Sequence, residues 1–335
     1  FGLWHTKAGI VIGDVFSLKL SLGHWVNDGL MVIFFFLVGM EIKREMVEGE
    51  LSTRARAMLP VMGAVGGMVV PAGIYAFFHW GEPTIRGWGI PMATDIAFAV
   101  AALSLLGKRV PPGLRIFLLA LAIADDIGAV AVIAIFYTAE IHLSALGMAG
   151  MGLLVCFALN KAGVRSFLVY IVVGTFVWYE MHHSGVHATI AGVLLGFLTP
   201  TALPAWDHQS LVDRGRHAID RLRELVTGHH DPESELHDHG GHKRHAVVRE
   251  LNVVGRETLS PVDFLHNALE RWVGFVIMPL FALANAGVAL EASTLENAEA
   301  QEVALAVGLC LLVGKPIGVS IFSWVAVSGG IAVLP

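Results

Sequence analysis

Leu114-Arg-Ile-Phe-Leu-Leu-Ala-Leu-Ala-Ile-Ala-Asp125-Asp126-Ile-Gly-Ala-Val-Ala-Val-Ile-Ala-Ile-Phe-Tyr137 decides how this 335-residue chain folds. Beyond Arg115 the stretch is apolar over about the thickness of a bilayer, ~20 residues of helix. Its only charges there are two adjacent aspartates. A carboxylate at bilayer depth costs at least ~2.5 kcal/mol even on a lenient insertion scale. Two adjacent carboxylates repel if both are ionised, so at least one must titrate or hold a cation. The stretch therefore points to a protein that moves cations or protons across a membrane.

The composition agrees. Hydrophobic residues make up 55% of the chain and charged residues only 15%, with a mean hydropathy of +0.68. Soluble domains carry about 25% charged residues, so the chain belongs in a bilayer. The net charge of -6 reflects soluble loops and says little about partners. Apolar runs near the ~20-residue requirement fall at 26–42, 57–79, 88–106, 114–137, 142–160, 166–181, 185–199, 270–290 and 302–327. The run 185–199 is short and Gly-rich. Most of the 22 basic residues fall in alternate loops: Lys43, Arg44, Arg54 and Arg56, then Lys108, Arg109 and Arg115, then Lys161 and Arg165. Further basic residues lie in 200–260, and Arg271 borders the eighth span. The opposite loops carry Arg86 and acids such as Glu140, Glu180, Glu291, Glu296 and Glu299. The positive-inside rule puts the basic loops in the cytoplasm.

The chain divides into four regions. Residues 1–25 hold an extracytoplasmic β-hairpin: Phe16, Leu18 and Leu20 alternate with Ser17, Lys19 and Ser21, and Gly13-Asp14 supplies a turn. An isolated hairpin is marginal in water, so its expected partner is its copy in a second subunit. Residues 26–199 form seven spans. Residues 200–269 are a polar cytoplasmic insertion; its stretch 201–260 carries half of the 16 histidines, among them His229, His230, His237, His239, His242 and His245. Their spacing matches no defined zinc site, so a solvated loop is favoured over a metal-binding or pH-sensing one. Residues 270–335 hold two more spans. Cys156 and Cys310 read as small core residues, with no disulfide framework. The chain begins at Phe1 with nothing resembling a signal peptide and stops at Pro335 after an apolar run, so both ends are expected to be incomplete.

Three spans carry polar residues out of keeping with their surroundings. In Gly87-Trp-Gly-Ile-Pro91-Met-Ala-Thr94-Asp95-Ile-Ala-Phe98, Pro91 removes a backbone donor and Gly89 loosens the turn before it. A broken helix is tolerated at membrane depth where it lines a cavity or packs in protein. Asp95 would neutralise the exposed amide end of a half-helix, and Thr94 would offer an oxygen to a cation. The plainer reading is that Pro91 merely opens the helix at the interface. The second feature is Asp125-Asp126. Helix neighbours point about 100° apart, so one can face an ion cavity while the other faces a partner helix. A purely structural pair is disfavoured, because apolar packing would serve at lower cost. The third is Gly314-Lys315-Pro316-Ile-Gly318, where Lys315 must pair with an acid, be neutral or snorkel. Asp28, Asn285 and the run Ser184-Gly-Val-His187-Ala-Thr189-Ile-Ala-Gly192 are softer signals, read as helix packing, with His187 a hydrogen-bonded core histidine.

Taken together these residues resemble the NhaA family of bacterial Na+/H+ antiporters. The matching blocks are Phe34-Phe-Phe-Leu-Val-Gly-Met-Glu41-Ile-Lys-Arg44-Glu45, Ala93-Thr-Asp95-Ile-Ala-Phe98, Ala120 to Ala129 around the aspartates, Ser184 to Gly192, Pro279-Leu-Phe-Ala-Leu-Ala-Asn285-Ala-Gly and Gly314-Lys315-Pro316. They run in family order over nearly the whole chain. The resemblance implies an all-α polytopic membrane protein, a helical bundle of inverted repeats with broken helices crossing at the midplane, beside the surface hairpin. It implies a secondary transporter, not an enzyme, exchanging Na+ or Li+ for protons across the bacterial inner membrane by alternating access. No cofactor is implied beyond the transported ions. Asp126 resembles the principal ion ligand, and Asp125 its partner and a salt-bridge mate of Lys315. Asp95 and Lys315 would offset opposite dipole ends at the crossing, with Thr94 a possible further ligand. The hairpin at 8–22 resembles the family's dimerisation element.

The chain also departs from the family. One helix before the hairpin and two after the Gly-Lys-Pro helix are absent, which implies a fragment. Near the eighth span the family's Leu-Glu-His, implicated in pH sensing, is replaced by Leu265-His266-Asn267. The carboxylate is missing there, leaving Glu41, Glu45 and His266 as the candidate cytoplasmic pH-sensing residues. Two rival functions share some of these features. An intramembrane aspartyl protease would use two aspartates on facing helices, such as Asp95 and Asp126, but no Gly-x-Gly-Asp motif occurs. A Na+-coupled organic anion symporter would use Lys315 to bind a carboxylate, but lacks a further buried basic residue.

Overall fold

The computed structural model describes residues 2–12, 16–49, 51–92, 105–106, 109–138, 141–164, 166–201, 213, 216–221, 223, 247, 249, 260–285 and 298–334. After a helical turn at Gly2–His5, the alternating segment forms two strands, β1 (Lys7–Ile12) and β2 (Phe16–Ser21). They pair antiparallel, with Lys7 opposite Ser21 and Ile12 opposite Phe16. The turn residues Gly13 and Asp14 lie outside the described residues. Leu22 N–H donates to Thr6 O at 3.0 Å and closes the base of the pair. Ser21 then caps the first helix, its Oγ accepting from His24 N–H at 3.2 Å. A serine oxygen there satisfies a helix donor that would otherwise be orphaned.

Among the described residues the longer helices are α1 (Leu22–Val47), α2 (Arg54–Phe78), α3 (Pro112–Phe136), α4 (Leu143–Lys161), α5 (Phe167–His183), α6 (Thr189–Leu198), α7 (Pro261–Asn285) and α8 (Glu299–Ser328). Among the described residues, six of these are long and apolar enough to cross a membrane: α1, α2, α3, α4, α7 and α8. The span expected at 185–199 is shorter than its apolar run. Gly185, at φ +81°, ends α5 in the left-handed conformation open to glycine, and α6 starts only at Thr189. His187 sits between the two and is exposed, so it is not the core histidine the sequence suggested. The Ser21 cap starts α1 earlier than the apolar run at 26–42, and Asp28 lies inside the helix. Of the span expected at 88–106, the described part is helical at Leu105 and Leu106 and otherwise belongs to a 3-10 segment, Pro83–Met92, with Pro91 buried inside it.

Two helices widen before a proline. In α7 the wide turn Val273–Ile277 ends with Met278 N–H donating to Val273 O, just before Pro279. In α8 the wide turn Cys310–Gly314 ends with Lys315 N–H donating to Cys310 O, just before Pro316. A proline ring collides with the carbonyl four residues back and offers no N–H. Adding a residue to the preceding turn relieves the collision and rotates the remainder of the helix.

The apolar exterior includes Phe275 at 84% exposure and Leu312 at 80%, as expected of surfaces that face lipid. In lipid, helices associate by close packing more than by the hydrophobic effect. The helices here pack in that way. The helices α2 and α8 lie along one another, α1 pairs with α6, α4 with α5, and α3 lies against α2. At the α2–α8 crossing a Cβ on Gly66 would collide with Gly318 O, and one on Gly318 with Gly66 O. Only glycine at both positions lets these backbones touch. That crossing puts the face of α2 bearing Ala64 and Gly67 beside Lys315.

Candidate functional site

Asp125 lies midway along α3 and its residue exposure is 2%. Its Oδ2 accepts from Lys315 Nζ at 2.7 Å, a contact between residues 190 positions apart. The same ammonium donates to the backbone carbonyl of Met92 at 2.6 Å. Lysine has three donors and no acceptor, so two of its hydrogens are placed on a charge and on a peptide dipole. The lysine side chain is 16% exposed and that of Asp125 3%. A pair so shielded is held by strong, charge-assisted bonds, and losing either member leaves an uncompensated charge.

The pair borders a cavity of about 90 Å³, lined by Ala64 and Gly67 from α2, Leu121 and Ala122 from α3, and Val319 from α8. Asp125 and Lys315 are the charged groups in that lining, and the other side chains there are small or apolar. Asp126 is half-buried, about 100° around α3 from its neighbour. Thr94 and Asp95 lie outside the described residues.

The other candidates gather at the far end of α1. His266 Nε2 lies 3.0 Å from Glu41 Oε1, and its Nδ1 lies 4.0 Å from Glu270 Oε2. His266, which stands where the resemblance places a carboxylate, thus lies close to two acids, Glu270 one turn along α7 and Glu41 across the helix gap. Glu45 is half-buried and folds back over Gly49. Arg44 lies 3.6 Å from Asp263, but both are solvated enough that the pair adds little. Ser260 caps α7, accepting from Asp263 N–H at 3.1 Å and donating to its carboxylate at 2.7 Å.

Several contacts were not legible in sequence. Asn285 exchanges amide bonds with Asn27, at 2.8 and 3.2 Å, joining α7 to α1. Asp28 Oδ2 lies 3.9 Å from His182, and Trp178 Nε1 donates to Asp28 O at 2.8 Å. Met92 has no polar side chain to mark it, because its backbone carbonyl makes the contact. Tyr75 and Tyr137 bond the same 3-10 segment, and an aromatic with a polar tip at the end of an apolar helix was the available signal.

A membrane bundle whose core holds a carboxylate–ammonium pair beside a cavity has the features of a secondary ion transporter. Comparisons with known proteins make this specific. The family described as Na+/H+ antiporter 1 matches residues 1–335. The chain is 45% identical to the Na+/H+ antiporter NhaA of Rhodopirellula baltica, over 99% of this chain and 72% of that protein. It is 45% identical to the Na+/H+ antiporter NhaA 2 of Sorangium cellulosum, over 99% of this chain and 69% of that one. With the Na+/H+ antiporter NhaA 2 of Myxococcus xanthus it shares 46%, over 99% and 68%. The chain belongs to the Na+/H+ antiporter 1 family and is by that membership a secondary transporter of Na+ and H+, not an enzyme. Neither the protease nor the organic anion symporter is favoured by these relatives.

Proposed function

We propose that the chain exchanges Na+ or Li+ for protons across the bacterial inner membrane by alternating access, at Asp125 and Asp126. The observation that supports this most is the Lys315–Asp125 bond at 2.7 Å beside a cavity that both residues line. Lys315 acts as a built-in cation on Asp125. An arriving Na+ takes carboxylate oxygens, with Asp126 its principal ligand, and the lysine gives up its hold on Asp125. Protons and Na+ compete for the same oxygens, so each loading of one releases the other. Thr94 and Asp95, just beyond Met92 in sequence, would complete the ligand set and offset the helix dipole there.

The short basic loops, Lys43 and Arg44 followed by Arg54 and Arg56, support a cytoplasmic placement of that end. His266 between Glu41 and Glu270, with Glu45 close by in sequence, supports a pH-responsive role for it. A sheet of two strands has two open edges, which supports pairing of residues 8–22 with a second copy to form a homodimer.

Asp126→Asn tests the site directly. An amide cannot trade a proton for a cation at neutral pH, so Na+-driven proton exchange in proteoliposomes should vanish, and Asp125→Asn should abolish it or nearly so. Normal exchange by the Asp126→Asn protein would remove the ion site from this pair.

A further inference from the structure

The segment Pro83–Met92 is held by side chains from three helices. Tyr75 Oη, near the end of α2, donates to Thr84 O at 3.0 Å. Tyr137, the residue directly after α3, donates from Oη to Arg86 O at 2.9 Å and accepts from Gly89 N–H at 3.1 Å. Lys315 of α8 donates to Met92 O at 2.6 Å. The indole of Trp88 stacks on the Tyr137 ring at 6.2 Å between centroids and meets Phe136 edge-on at 5.1 Å. A Cβ on Gly89 would stand 2.6 Å from Tyr137 Oη, so the hydroxyl reaches this backbone only because position 89 has no side chain.

These contacts close a ring. Asp125 stands on α3 and Tyr137 caps its end, its N–H donating to Ile133 O at 3.1 Å, so the helix and its cap hold the two a set distance apart. Asp125 holds Lys315, Lys315 holds the far end of the segment, and Tyr137 holds its middle. We propose that Tyr137 is a positioning residue for cation exchange: by fixing the Pro83–Met92 segment on α3, it keeps Met92 O within reach of Lys315. The carbonyl gives the ammonium a partner that it retains when a cation displaces it from Asp125. Without that partner the displaced lysine stands unsatisfied in the protein interior, and Lys315 competes harder with Na+ for the carboxylate. This rests on the assignment of the cation to the aspartate pair.

The test measures the Na+ KM and the maximal exchange rate of the full chain in proteoliposomes at one fixed pH. Tyr137→Phe removes only the oxygen and keeps the ring on Trp88. Gly89→Ala displaces the same hydroxyl without removing it. Both should raise the Na+ KM about fivefold, the equilibrium worth of roughly one hydrogen bond, while the maximal rate stays near native. A native KM in either variant, with or without a lower maximal rate, would make the clamp merely structural and overturn the proposal. Failure of the underlying site assignment reads differently, as retained exchange in Asp126→Asn whatever the Tyr137 variant does.

Discussion

Lys315→Ala should destabilise the protein, and the size of the effect is set by its two bonds. The substitution leaves Asp125 with a side chain 3% exposed and no ammonium 2.7 Å away. Breaking a buried ion pair by removing one partner costs about 3–5 kcal/mol. For a chain of this size each kcal/mol moves the melting temperature by about 2 °C, so a fall of about 6–10 °C is expected in detergent. Asp125→Ala should cost a similar amount by stranding the lysine, softened by the Met92 carbonyl that it still holds at 2.6 Å. In the double variant neither charge remains, so part of the loss should return. The return stays incomplete because Met92 O has lost its donor, a deficit of about 1–3 kcal/mol for a buried acceptor. A thermal-shift cycle over the four proteins isolates the coupling. If the double variant is as unstable as the sum of the singles to within about 0.5 kcal/mol, the two residues are not coupled and the electrostatic account is wrong. Lys315→Arg keeps the charge and should preserve some transport.

Two further outcomes are expected. The apparent Na+ affinity should improve as pH rises, since protons and Na+ compete for the same carboxylates; with one proton displaced per ion the KM should fall up to about tenfold per pH unit where the pair is protonated. A KM for Na+ that is flat from mildly acidic to alkaline pH would contradict direct competition. Deleting residues 228–245, which lie outside the described residues, should leave transport largely intact if the His-rich stretch is a solvated loop. A shifted activation pH on deletion, or tight stoichiometric Zn2+ binding by the intact loop, would favour a sensor.

Membrane class and the identity of the costly residues were legible in sequence for a local reason. A charge inside an apolar run of ~20 residues is conspicuous, because the run itself says where the bilayer lies. Asp125, Asp126 and Lys315 stand out against their own neighbours without any knowledge of the fold. The alternation of Phe16 to Ser21 with polar residues likewise marks a strand within its own window. Which acid meets which base is a different kind of fact. Lys315 bonds Asp125 across 190 residues and Met92 O across 223, and His266 meets Glu41 across 225. Such contacts depend on how whole helices cross. The Gly66–Gly318 approach brings α2 and α8 into backbone contact, and the wide turn before Pro316 rotates Lys315 to the face it occupies. The Tyr137 clamp is further hidden because its partners are backbone groups, which every residue carries and no sequence pattern marks. Sequence thus identified the charges that a membrane protein has to justify, and only the crossing of the helices, set by backbone contact at glycines, decided which groups justify them.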